Sequence, residues 1–136
     1  MLIKWNEINS VNVKEIDEQH QQLVDIINEF FAIEEKEKEQ LVAILNKLSG
    51  YVNTHLEFEE KCFVEVAYDK ADEHIALHNA YRKHIKGLQE NLQDAATEDR
   101  KKIMDQLSHF LRDWWINHII KVDHLYSQWF NEKGLY

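Results

Sequence analysis

Four long stretches of this chain place their apolar residues three and four positions apart, the period of one face of an α-helix. In the first, Leu23, Val24, Ile27, Phe30 and Phe31 form the stripe, and His20 lies on the same face. The second stripe runs Leu41, Ile44, Leu45, Leu48, Val52, His55, Glu59 and Cys62. The third holds His74, His78, Tyr81, Ile85 and Leu88. The fourth holds Ile103, Leu107, Phe110, Leu111, Trp114, Trp115, His118, Val122, Leu125 and Trp129. The chain has no proline, and Gly50, Gly87 and Gly134 are its only glycines, whereas a sheet protein of this size needs more turn residues. The expected fold is all-α: one domain over 1–136, an up-down-up-down four-helix bundle with helices at about 17–36, 40–65, 70–93 and 97–132.

The flanking residues complete this expectation. Residues 1–16 lack a clean helical period and read as an ordered extended arm, pressed on the bundle by Trp5, Ile8 and Val13. Asp17, Asp69 and Thr97 are of the types that cap helix starts, and Gly134 is placed to end the last helix. "EEKEKE" (34–39), "AYDKADE" (67–73) and "QDAATED" (93–99) read as the connections. Gly50 costs up to about 1 kcal/mol in a helix relative to alanine, which implies close helix packing or a local bend near it.

A net charge of −9 argues against nucleic acid and anionic membrane as partners, since both demand clustered cations. It favours a soluble chain, here expected to be a monomer. No apolar run is long enough to span a bilayer, and the start carries no secretory pattern. The lone Cys62 excludes an internal disulfide and reads as a buried, inert thiol. A cytoplasmic location is expected.

The inner stripes carry an excess of donors. One histidine on such a stripe is ordinarily a hydrogen-bonded core residue, but His74 and His78, one turn apart, can grip one metal, and His55 with Glu59 offers a nitrogen and an oxygen on one face. A carboxylate on an inner stripe needs a cation or a proton, because burying it alone is costly. Across the helices, His20, His55, His74, His78 and His118 with Glu59 and Asp123 supply too many ligands for a structural zinc, which takes four and prefers thiolates. The set suits two first-row metals with bridging carboxylates, and imidazole plus carboxylate fits iron. No Glu-x-x-His occurs, so the set is richer in histidine and poorer in carboxylate than the usual carboxylate-bridged bundle. That balance favours reversible binding over oxidation of substrates.

The segments "WNEINSVNVKEIDEQHQQL" (5–23), "HLEFEEKCF" (55–63), "HIALHNAY" (74–81) and "WINHIIKVD" (115–123) give, in order, His, His-x-x-x-Glu, His-x-x-x-His and His-x-x-x-x-Asp. In this the chain resembles the hemerythrins, most closely their stand-alone bacterial type, and the resemblance covers essentially the whole chain. It departs from the family pattern at Asn12, where glycine is usual, and at Asp69 and Cys62, where proline and an apolar residue such as methionine are usual.

The resemblance implies a non-haem di-iron centre that binds O₂ reversibly. His74, His78 and His118 would hold one iron and His20 and His55 the other. Glu59, Asp123 and an oxo or hydroxo group would bridge them, leaving one open position on the iron of His20 and His55. The implied role is storage or delivery of O₂, with delivery to an oxygen-using enzyme, and no catalysis. The competing readings are a di-iron enzyme and a sensor of O₂, redox state or nitric oxide. Trp115 and Ile119, near the last two ligands, are candidates for lining the O₂ pocket, and plain core is the competing role. His84, His109 and His124 fall off the ligand face and read as surface or boundary residues.

The pair His118 and Asp123 is the awkward one. Five residues of α-helix turn two side chains about 140° apart. Either the two ligands occupy opposite edges of the inner face, or the helix carries a π-type bulge that brings them into line.

Overall fold

The computed structural model describes residues 2–34, 37–94 and 97–136, with the side chains of Thr97 and Glu98 outside the described set. Its helices are α1 (Lys14–Ala32), α2 (38–65), α3 (Ala71–Asp94) and α4 (97–132). They form a four-helix bundle, in which α1 packs on α2, α2 on α3 and α3 on α4. No strand occurs among the described residues, and no helix there is long and apolar enough to cross a membrane.

The arm is held in place by specific contacts. Asn28 clips it at both backbone groups of Ile3, accepting from its N–H and donating to its carbonyl, each at 2.8 Å. Val11 and Val13 are buried and Trp5 packs against the core, but Ile8 is exposed: a 3₁₀ turn at Glu7–Asn9 swings it outward. Helix α1 starts three residues earlier than expected, at Lys14, with Val13 at the cap position. Asp17 is inside the helix, where it accepts hydrogen bonds from the Ser10 hydroxyl and the Val11 N–H and so ties down the arm. Between these, Asn12 adopts φ +60°, a left-handed conformation that glycine takes freely and asparagine tolerates. This accounts for asparagine at a position where the family uses glycine.

The first helix ends at Ala32, short of the expected 36; residues 35 and 36 of the charged connection lie outside the described residues. Helix α2 begins at Lys38 behind a reciprocal capping box of Glu37 and Gln40. Asp69 is exposed in the turn before α3. The capping role expected of the Thr97 side chain lies outside the described residues. Gly134, at φ +91°, closes α4, and the Leu135 N–H donates to the Phe130 carbonyl at 2.8 Å in the six-to-one pattern of a helix stop.

Two helices depart from α winding. Helix α2 widens to π geometry at Val52–Leu56, with the Glu57 N–H donating to the Val52 carbonyl. A Cβ on Gly50 would meet no atom within 4 Å, so the change of winding two residues later, not close packing, is the local irregularity there. Helix α4 runs as α to Asp113, as π over Trp114–Val122 and as 3₁₀ over Asp123–Tyr126, then as α again from Ser127.

The extra residue in the wide turns moves every later position of α4 around the axis. The expected inner series His118, Val122, Leu125, Trp129 is therefore replaced by His118, Asp123, Tyr126, Phe130. Leu125 is 59 % exposed, while Tyr126 and Phe130 are fully buried.

Buried apolar residues form two separate clusters. The larger includes Leu23, Ile27, Leu45, Leu48, Tyr81, Leu107 and Ile119. The smaller includes Val11, Ile16, Phe63, Tyr68, Tyr126 and Phe130. His20, Glu59, His78 and Asp123 fall between neighbours from the two clusters, one on each helix, so the polar layer lies where the two apolar ones meet.

Candidate metal centre

Each helix presents its donors to that layer. Helix α1 supplies His20 from regular α geometry, and α3 supplies His74 and His78 one turn apart. Helix α2 supplies His55 from its π segment and Glu59 from the α turn after it. On α4, the Asp123 N–H donates to the His118 carbonyl, a five-residue step that aligns the two side chains. The bulge is thus the geometry adopted, and Asp123 is wholly buried.

The structure brings together all seven residues singled out in the sequence. Glu59, His74, His78 and His118 form one group of donor atoms and His20, His55 and Asp123 a second, with the atoms of each group within 4.8 Å of one another. All seven are at most 4 % exposed. The carboxylates reach across. Asp123 sets Oδ2 2.9 Å from His20 Nε2 and Oδ1 3.0 and 3.1 Å from Nε2 of His74 and His118. Glu59 sets Oε1 2.8 Å from His55 Nε2 and 3.4 Å from His78 Nε2.

These are close approaches without hydrogen-bonding geometry. Nε2 of His20, His55 and His78 and all four carboxylate oxygens of Glu59 and Asp123 are buried with no hydrogen-bond partner. His74 and His118 point Nε2 atoms at each other across 3.1 Å, where one proton at most can serve both. Orphaned nitrogen and oxygen atoms sharing a focus are what metal ions satisfy, so the donor set fits a metal centre.

The electrostatics agree with that reading. Burial and the Asp123 charge oppose ionisation of Glu59, yet His55 and His78 hold its carboxyl well below the usual range. Burial opposes ionisation of Asp123, and His118, His20 and His74 outweigh it. Burial, reinforced by the two carboxylates, pushes the phenols of Tyr51 and Tyr126 far up.

Two residues beside the ligands escaped sequence reasoning. Gln19 lies 2.6 Å from His55 Nδ1 through Oε1, and Glu60 lies 2.7 Å from His78 Nδ1 through Oε2. Arg82 grips both oxygens of Glu60, at 2.9 and 3.0 Å. Each is a chain neighbour of a ligand or one turn from it, which is the signal that could have found them. The tyrosines do not take this part: the Tyr81 hydroxyl donates to the Leu48 carbonyl, and those of Tyr51 and Tyr126 are buried without partners.

Trp115 and Ile119, candidates for a pocket, are both buried in the larger apolar cluster. It is Trp114 that stacks on a candidate ligand, 3.7 Å from the His118 ring and nearly parallel to it. Cys62 is buried and free, its thiol pushed up to about 11 by burial and nearby carboxylates. His109 is exposed, and His84 and His124 sit at the boundary.

Residues 11–130 match the family model described as the hemerythrin HHE cation binding domain. The chain is 29% identical to the bacteriohemerythrin of Methylococcus capsulatus over 128 residues, covering 93% of this chain and 95% of that one. It is 25% identical to the bacteriohemerythrin of Stenotrophomonas maltophilia over 127 residues, covering 93% of this chain and 80% of the relative. A crystal structure of a hemerythrin with a leucine-to-tyrosine substitution superposes with a TM-score of 0.79 at 27% identity, covering 93% of this chain and 95% of that one. The chain belongs to the hemerythrin HHE cation-binding family.

Proposed function

We propose that the chain binds O₂ reversibly at two iron ions and serves to store or deliver it. His74, His78 and His118 would hold one iron and His20 and His55 the other, with Glu59 and Asp123 shared between the two. The observation that carries this reading is the reach of the carboxylates: Asp123 offers one oxygen to each group, and Glu59 lies between His55 and His78. With three imidazoles against two, the iron on the His20 and His55 side would be the one to take O₂.

Two ferrous ions supply, when bound, the two electrons that O₂ takes up and later returns. The protein's part is to orient and to exclude water. Gln19 fixes the ring of His55 and Glu60 that of His78, each leaving Nε2 for the metal. Leu23, Leu56 and Ile119, all fully buried, belong to the apolar layer on one side of the donors, and Phe63 and Tyr126 to the layer on the other. Dry walls of this kind keep water and stray protons from O₂ once bound. Trp115 and Ile119 contribute to them in this reading.

The deciding experiment is anaerobic reduction of the iron-loaded chain, addition of O₂, and its removal. Colour that appears and disappears over repeated cycles is the expected result. Immediate conversion to ferric iron with peroxide release would reject carriage and favour a di-iron enzyme. His78→Ala is expected to lose iron, and His109→Ala to keep it; equal iron contents would undo the ligand assignment.

A further inference from the structure

The two halves of the centre are backed by different chemistry. Behind His55 stands the neutral amide of Gln19. Behind His78 stands the carboxylate of Glu60, itself clamped by both terminal nitrogens of Arg82. Glu60 and Arg82 are 23% and 27% exposed in their side chains, so the pair is only partly screened by solvent. Arg82 can only donate, so its fork occupies Glu60 as an acceptor, and the 2.7 Å contact takes its proton from His78 Nδ1. That proton location leaves Nε2 of His78 as the lone-pair nitrogen aimed at Glu59 and the metal focus.

We propose that Glu60 is a positioning residue that also sets the charge of the three-histidine half. Its carboxylate fixes the His78 tautomer and lends negative charge to that side through the imidazole, and Arg82 limits how much charge is lent. This rests on the iron-centre reading above. Gln19 can fix a ring in the same way but lends no charge, so the asymmetry is electronic and not only steric. The carboxylate–imidazole contact raises ligand basicity, which stabilises the more highly charged metal.

The test pairs Glu60→Gln with Arg82→Met in the full chain loaded with iron. Potentials are read by redox titration, alongside iron content. Removing the carboxylate is expected to favour the ferrous state by about tenfold, about 59 mV for one electron. Removing the guanidinium leaves the anion unshielded and is expected to shift the potential in the opposite direction. A merely structural pair would move both variants the same way or not at all, and either result overturns the proposal. The His78 tautomer is read separately, by ¹⁵N chemical shifts of the metal-free protein at alkaline pH, where the ring is neutral. The proton is expected on Nδ1 in the parent and is expected to lose that preference in Glu60→Leu. A parent with the proton on Nε2 overturns the proposal even if O₂ carriage is confirmed. The Nδ1 result with failed O₂ cycling would reject carriage while leaving the positioning role standing.

Discussion

Helices α1 and α3 bring only imidazoles to the centre, on uninterrupted α winding. Helices α2 and α4 each bring one imidazole and one carboxylate, and each contains a π segment at its histidine. The difference lies in what the winding has to deliver. His74 and His78 point the same way at the natural spacing of an α-helix. A histidine that serves one donor group and a carboxylate that approaches both make a harder demand, and in α4 they are five residues apart. There the backbone gives way, trading four-residue hydrogen bonds for five-residue ones.

Single-residue deletions set the two kinds of helix against each other most sharply. Deleting the exposed Asn79 from α3 turns Tyr81, Ile85 and Leu88 about 100° away from the core. At roughly 2–5 kcal/mol for each large side chain removed from its site, the three together match the whole stability of an ordinary domain. The expected outcome is loss of the cooperative thermal transition in circular dichroism. Deleting the exposed Lys121 from α4 removes the extra residue of the π turn, and α winding then places Tyr126 and Phe130 where they already lie. Helicity and cooperative melting are expected to survive, with Asp123, now four residues after His118, keeping its face of the helix and iron content largely retained. Equal damage from the two deletions would dissolve the distinction.

Acid sharpens the same contrast in the metal-free chain, because both buried carboxylates belong to α2 and α4. Glu59 and Asp123 are held below their ordinary values of 4.5 and 3.8, so the unfolded chain takes up their protons first as pH falls. Their contribution is complete above those values and is lost as pH drops through the depressed ones. His55 is lowered mainly by burial and acts in the same sense below 6.5. His78 is raised, its carboxylate contacts overcoming burial, and acts in the opposite sense. The urea midpoint is expected to decline steadily below pH 4.5. A midpoint flat down to about pH 3 would mean that the carboxylates are not held ionised.

The smallest expected effect concerns Gly50, exposed in α2 just before its π segment, with open space where a Cβ would lie. Gly50→Ala is expected to raise stability by about 0.5–1 kcal/mol in chemical denaturation, without change in iron content. A loss of iron would show instead that the flexibility of glycine serves the π turn.

The sequence carries the helices and the donors because both follow from repeated local spacing. Apolar residues mark the inner faces, and histidines and carboxylates on those faces mark the layer where the helices meet. It does not carry the changes of winding so plainly. His118 and Asp123 announce theirs by an unnatural spacing, but His55 and Glu59 stand at an ordinary four and conceal the π turn at Val52–Leu56. Leu125 was legible only as an apolar residue in phase, and the phase itself had moved. Standing next to a ligand or one turn from it is the only mark that Gln19, Glu60 and Arg82 carry in the sequence, because their contacts are made between helices.

The polar layer between two apolar ones also bears on how the molecule comes apart. Without metal, the larger cluster and the smaller one are joined across a plane of mutually repelling carboxylates and unsatisfied imidazoles, a natural parting line. Metal ions bolted through that plane would convert two weakly coupled halves into one cooperative body. Hydrogen exchange then distinguishes the states: separate protection for the Phe63 and Leu48 regions in the stripped chain, and a common opening once it is loaded.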